Sequence, residues 1–315
     1  MHRWGRFLSL VVAVVSAACG ANGVAQDVPA RLYVTFVSHN EDNCPFFDAP
    51  DFSSEYKANR DATVAVANAV VAAGLAWNFE SDWTYLLKVS EEDEGAGQEN
   101  TGGKNIIEWL ATSAPHRLEV DAHSHEHRGY NYADVVKLLL DLGAPDTKIV
   151  GGFIATPEGE ADWARLREPL TGAKTGFVWT PQILWGGASH DHLIDLNLSG
   201  VWRPKDAANF LSDDPAGNLT SVGTWWDSGP FQLDGLNEIV ARVAAGEFAP
   251  GTILTTAVRI GHCTMARDLD VALADVAAVA SFVAAGKAVP ATLTDIVAIW
   301  RDAYGSKPFV LESNQ

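Results

Sequence analysis

The chain has 315 residues, 47% of them hydrophobic, and its 40 acidic residues outnumber 22 basic ones for a formal net charge of -18. A field of that sign repels phosphate backbones and anionic lipid, which argues against a nucleic-acid partner and favours neutral or cationic substrates, while also keeping the surface soluble. No apolar run is long enough to span a bilayer, so no transmembrane segment is expected.

In chain order, Arg3 and Arg6 precede the short apolar stretch Phe7 to Ala18, and the small residues Ser16-Ala17-Ala18 and Gly23-Val24-Ala25 follow as cleavage candidates. This is the layout of a secretory signal peptide over residues 1–25, so a secreted or periplasmic protein is expected. A lipid-modified Cys19 is the alternative processing, although Ser16 stands where a lipoprotein signal usually has Leu or Val. Removal of residues 1–25 leaves 20 basic against 40 acidic residues, a formal charge of -20. It also leaves two cysteines, Cys44 and Cys263, an even pair that in an oxidising compartment is a candidate disulfide.

No proline- or serine-rich linker and no repeat divides residues 26–315, which read as one catalytic domain of a size ordinary for an α/β barrel. Runs rich in β-branched and aromatic residues predict strands over Arg31 to Ser38, Leu75 to Phe79, Arg117 to Ala122, Lys148 to Ala155, Gly200 to Arg203, Leu219 to Trp225 and Thr252 to Ile260. Helical patterns fall between and after them, at Asp61 to Ala73, Tyr132 to Leu142, Asp234 to Ala245 and Leu269 to Ala285. Such alternation is the sequence form of a parallel α/β sheet or barrel, in which chemistry gathers at the C-terminal strand ends. Polar clusters follow five of the predicted strands: Ser38 to Asp42, His123 to His127, Arg203-Pro204, Trp225-Trp226-Asp227 and Gly261-His262.

Three of the nine histidines lie in His123-Ser124-His125-Glu126-His127. Neutral imidazole is the commonest protein ligand for zinc and similar divalent ions. His123 and His127, four apart, would project to one side of a helical turn, and a carboxylate from Glu41 or Asp42 would complete an open three-ligand site. If strand geometry persists past Ser38, His39 and Glu41 point the same way and Asp42 oppositely, which favours Glu41 as the ligand.

With these residues laid out, the chain resembles the polysaccharide deacetylases of the NodB-like glycoside hydrolase/deacetylase superfamily. Their second motif, His-Ser/Thr-x-x-His, is met by His123, Ser124 and His127; their last, Leu-x-His, is echoed by Ile260-Gly261-His262. The first motif, an acidic pair ending the first strand, is met late and irregularly by His39-Asn40-Glu41-Asp42. The arginine-proline motif is met loosely by Arg203-Pro204, and the fourth by Trp225-Trp226-Asp227.

The resemblance implies a distorted seven-stranded (β/α) barrel and a divalent metal, zinc first among candidates, held by Glu41, His123 and His127. It implies hydrolysis of an N- or O-acetyl group on an oligo- or polysaccharide, with Asp42 or His39 as base, His262 as general acid, Asp227 tuning that histidine and Arg203 steadying base or substrate. Trp185, Trp202, Trp225 and Trp226 become candidates for stacking on sugar faces, although tryptophans serve cores more often. The family's first and last strands lie near each other, which would bring Cys44 to Cys263.

Other resemblances compete. Asp121-Ala122-His123-Ser124-His125 is similar to the Asp-x-His-x-His run of amidohydrolases, and His39-Asn40-Glu41 to the His-Asn-Asp metal motif of family-38 α-mannosidases. A non-catalytic glycan-binding barrel is the third reading. His190 and His192 read as part of a polar loop, and Glu91 to Glu94 as an exposed acidic one.

Overall fold

The computed structural model describes residues 28–40, 52–151, 160–185, 198–225, 233–261 and 265–312. The opening strand β1 (Arg31–Asn40) is buried along all but its first residue. Its near-continuous apolar run is what a strand covered on both faces requires. The chain continues through α1 (Phe52–Ala72), β2 (Trp77–Ser81), α2 (Trp83–Glu92), α3 (Ile106–Ser113), β3 (Leu118–His123), α4 (Tyr132–Asp141) and β4 (Ile149–Gly151). Then come α5 (Glu160–Leu166), the small hairpin β5 (Leu170–Thr171) and β6 (Val178–Trp179), β7 (Ile183–Trp185), β8 (Leu198–Trp202), β9 (Thr220–Val222), α6 (Asp234–Ala244), β10 (Ile253–Arg259), α7 (Leu269–Ala284), β11 (Val289–Pro290), α8 (Leu293–Tyr304) and β12 (Phe309–Glu312).

One ten-stranded sheet runs β10-β1-β2-β3-β4-β7-β9-β8-β12, with β11 added to the start of β1. The strands from β10 to β9 in that order are mutually parallel, whereas β8 pairs antiparallel with both β9 and β12. The expected α/β architecture is present, with a central sheet dominated by parallel strands, and the strand ladder does not close into a barrel among the described residues. Its two sides still meet. Thr255 of β10 donates from Oγ1 to Gly223 O at 2.6 Å and accepts from Gly200 N at 2.8 Å, and Ser199 Oγ donates to Thr255 O at 2.8 Å. Side-chain hydroxyls, with the backbone bond from Ala257 N to Thr224 O at 2.6 Å, thus join the two sides of this seam. Gly200, at φ 115°, is required there, because a Cβ would lie 2.1 Å from Phe309 O on β12.

The pleat sorts side chains into two cores. Leu32, Val34 and Phe36 face outward into a cluster shared with α1 to α4, α6 and α7. Tyr33 and Val37 face inward with Ile183, Trp185 and Val222, where Leu293, Ile296, Trp300 and Tyr304 of α8 close the N-terminal end of the strands. The N-terminus of α8 is tied to the sheet: Thr292 caps it by accepting from Asp295 N, and Leu293 N donates to Asn78 Oδ1 of β2 at 3.2 Å. At α4, Asn131 and Asp134 form a reciprocal capping box. Buried Arg60 on α1 donates to Asp93 Oδ1, Asn100 Oδ1 and Thr101 Oγ1, which fixes the turn between α2 and α3. Among the described residues no helix is long and apolar enough to cross a membrane.

Asp275 on α7, which packs against α1, is 8% exposed, and its Oδ2 accepts no hydrogen bond from a described residue. Burial pushes its carboxyl up to about 6. Because the folded value lies above that of an unfolded aspartate, stability is fullest below the unfolded pKa and is lost as pH rises through about 6. Asp275→Asn should therefore raise Tm by about 2 °C at pH 8, on the order of 1 kcal/mol, and leave it unchanged at pH 4, as thermal unfolding at the two pH values will show.

Candidate metal centre

Three neighbouring parallel strands end in ionisable side chains on their inner face. His39 of β1 pairs in register with Glu80 of β2, Glu80 pairs with Asp121 of β3, and His123 lies two residues beyond Asp121 on the same face. His39 Nε2 stands 3.1 Å and His123 Nδ1 3.4 Å from Glu80 Oε2. The two imidazoles stack at 4.4 Å between centroids, and one donor atom from each of the three residues falls within 4.8 Å of the others. All three residues are buried.

This arrangement depends on a missing side chain. Gly151 of β4 sits opposite His123, and a Cβ there would lie 2.5 Å from Glu80 Oε2 and 2.7 Å from Ala122 O. Tyr132 Oη donates to Gly151 O at 2.9 Å and so ties α4 to the same strand end. Trp185, at the end of β7, sets its ring edge-on to His39 at 5.2 Å. His125 Nε2 approaches His123 Nε2 at 3.2 Å.

Burial pushes the Glu80 carboxyl up, but the charge and hydrogen bonds of His39 and His123 outweigh it and hold the group below its usual value. Beneath it the acids behave oppositely. Burial, then repulsion from Glu119, holds Asp121 well above the usual carboxylate range, although Asn78 Nδ2 and Thr147 Oγ1 donate to it at 2.7 and 2.8 Å. Burial likewise raises Glu119, which accepts from Asn78 Nδ2 at 2.6 Å and from Thr294 N at 3.2 Å.

The donor set fits a divalent cation. Two imidazole nitrogens and a carboxylate that stays ionised are a set zinc accepts, and Glu80 Oε1 takes no hydrogen bond from a described residue.

Of the residues singled out from the sequence, the structure brings together His39, His123 and Trp185. His39 stands among the donor atoms and against Glu80, a different setting from the base expected of it. The backbone of His127 begins a short 3-10 turn, and its side chain lies outside the described residues. Glu41, Asp42, Cys44, Trp226, Asp227, His262 and Cys263 also lie outside them, with His190 and His192.

Arg203 is not at this end. It follows β8, whose antiparallel course carries it to the N-terminal end of the parallel strands, where Nη2 pairs with Asp213 Oδ2 at 2.8 Å and the guanidinium lies 5.4 Å from the Trp300 ring centroid. Trp202 and Trp225 are buried in the outer core, Trp202 Nε1 donating to Phe210 O and Trp225 lying under Arg242, so neither offers a face to a sugar. Glu80 is the residue missed from the sequence. The signal was available: it directly follows the predicted strand Leu75 to Phe79, as the other polar clusters follow theirs.

No protein-family model and no curated protein sequence matches the chain. Solved structures similar to it include a 4-alpha-glucanotransferase from Thermococcus litoralis, at 10% identity and TM-score 0.47 over 86% of this chain; the chain spans 40% of that protein. A GH57 branching enzyme from Thermococcus kodakaraensis, in complex with glucose, gives 10% identity and TM-score 0.44 over 85% of this chain and 71% of its own. A protein provisionally assigned as a glycoside hydrolase/deacetylase from Parabacteroides distasonis gives 9% identity and TM-score 0.48 over 89% and 73%. All three fall below a TM-score of 0.5, and nothing about this chain's activity rests on them.

Gly151→Ala isolates the constraint on Glu80. The added methyl displaces the carboxylate, so divalent-ion affinity measured by calorimetry should fall at least about tenfold while the far-UV circular dichroism stays that of the parent.

Proposed function

We propose that this protein is a divalent-metal-dependent hydrolase that removes acetyl groups from a glycan, with His39, Glu80 and His123 as protein ligands of a zinc ion. The observation that carries the reading is the convergence of these three buried donors, within 4.8 Å of one another, at the C-terminal ends of adjacent parallel strands. In parallel α/β folds that end of the sheet is where catalytic groups collect. The match of His123, Ser124 and His127 to the deacetylase motif supports the choice of reaction.

The chemistry such an ion supplies is Lewis acidity toward the acetyl carbonyl and an activated water at neutral pH. The chain's own groups set the conditions for it. Glu80 brings a carboxylate between two imidazoles at a buried, polar strand end. Trp185 covers one side of His39 and keeps bulk water from that side. His125 meets the Nε2 of His123 and fixes that ring's orientation.

His127 is the candidate for a further donor. With His39 among the ligands, the role of general base passes to Asp42, and His262 keeps that of general acid toward the leaving amine or alkoxide. Export through residues 1–25 and a Cys44–Cys263 disulfide belong to the same reading.

Purified protein should bind about one zinc per chain and release acetate from acetylated chitooligosaccharide or acetylated xylan, and should lose that activity on chelation and regain it with zinc. His39→Ala, Glu80→Gln and His123→Ala should each lower metal affinity more than about tenfold and kcat/KM roughly a hundredfold or more. Full acetate release by Glu80→Gln would overturn the assignment. New reducing ends without acetate would make the protein a glycosidase instead.

A further inference from the structure

Near the candidate metal centre in the chain, the start of α2 and the loop before α4 carry an aromatic stack with a cation on each ring. Trp83 comes three residues after Glu80, at the start of α2, and Tyr130 precedes α4 after the His123 loop. Their rings lie parallel, 4.7 Å apart at 5°. The Arg128 guanidinium is 5.6 Å from the Trp83 centroid, and Lys174 Nζ, from the turn between β5 and β6, is 5.7 Å from that of Tyr130.

Three features mark this rim as built. Arg128 holds a left-handed backbone at φ 53° and ψ 23°, a conformation an arginine adopts at a cost of order 1 kcal/mol or more. The Lys174 turn is clamped by Asp134 Oδ1, which accepts from Lys174 N at 3.0 Å and from Thr175 N and Oγ1 at 2.8 Å. Gly129, at φ 79°, makes the left-handed turn that carries the chain from Arg128 to Tyr130.

Both cations are exposed, and among the described residues neither pairs with a carboxylate, in a chain with 40 acidic residues to draw on. A ring face holds a cation in place without neutralising it. No described carboxylate cancels the charge of either one. Each cation sits on its own ring, an arrangement suited to separate negative charges, and a guanidinium fork matches the paired oxygens of a carboxylate as it does those of a phosphate.

We propose that this rim is a subsite for carboxylate groups, and that the substrate of the neighbouring centre is an anionic, uronate-bearing glycan. The inference rests on the reading of that centre as the active end of the sheet. It reverses, for this one surface, the preference for neutral or cationic substrates that the net charge of -18 suggests.

The test separates the two readings by measuring binding without catalysis. Trigalacturonate, which carries no acetyl group, is titrated into the full chain by calorimetry at 50 and 200 mM salt, with and without chelator, beside its methyl ester. The acid should bind at least tenfold tighter than the ester, lose affinity at the higher salt and be indifferent to chelation. Arg128→Gln with Lys174→Gln should remove at least tenfold of that affinity while zinc binding at His39, Glu80 and His123 stays unchanged, and Lys174→Glu should weaken the acid further than Lys174→Gln. Equal binding of acid and ester, no binding of the acid, or full affinity in the double variant would overturn the subsite. Loss of zinc binding or acetate release in the parent would count against the metal centre alone.

Discussion

A carboxylate with no access to water must be matched by something, and Glu80 is matched by two imidazoles. Moving an ion of that size out of water costs several kcal/mol even after relaxation, so the group is tolerable only with donors or a cation against it. His39 and His123 meet that need from the strands on either side, and their contacts keep Glu80 ionised despite burial. The glycine at 151 then has a physical reason, because its missing Cβ is the space the carboxylate fills. Below the pair, Asn78 bridges Asp121 and Glu119, whose raised carboxyls need not both carry charge beside Glu80. Negative charge is thus concentrated at the strand ends, where two nitrogens face it.

The course of the sheet decides what else reaches that end. Seven parallel strands bring their C-termini to one side, but β8 returns antiparallel and sends Arg203 to the far side. The two sides of the sheet are joined by the Thr255 and Ser199 side chains and by the backbone bond from Ala257 N to Thr224 O, while α8 seals the opposite end through Asn78 and Glu119. Each device satisfies backbone or side-chain polar groups that a regular closed barrel would satisfy by strand pairing. The resulting asymmetry gathers His39, Glu80 and His123 at one end of the sheet and Arg203 at the other.

Much of this was legible along the chain. The predicted strand Arg117 to Ala122 is β3 to within a residue, and the predicted helix Tyr132 to Leu142 is α4, because a 2-residue or 3.6-residue period is written directly in the spacing of apolar side chains. The placement of His123 at a strand end was legible too, from the apolar run that precedes it. For Glu80 the sequence offered only its place just after a predicted strand: one glutamate near the end of a five-residue buried strand carries no period, and its partners are 41 residues before it and 43 after. β7 was missed for a related reason, since Ile183-Leu184-Trp185 is too short to show alternation. Arg203 was misplaced because an apolar run such as Gly200 to Arg203 has the same pattern in either direction.

By itself, then, the order of residues determined the alternation of strands and helices, which face of each is apolar, and that histidines stand at the end of the third strand. These are properties of neighbours a few residues apart. Strand direction, pairing register and the open seam were decided only in three dimensions, because they depend on contacts between segments tens to hundreds of residues apart. Register alone sets His39 beside Glu80 and Glu80 beside Asp121, and a slip of one residue would turn all of these side chains to the opposite face.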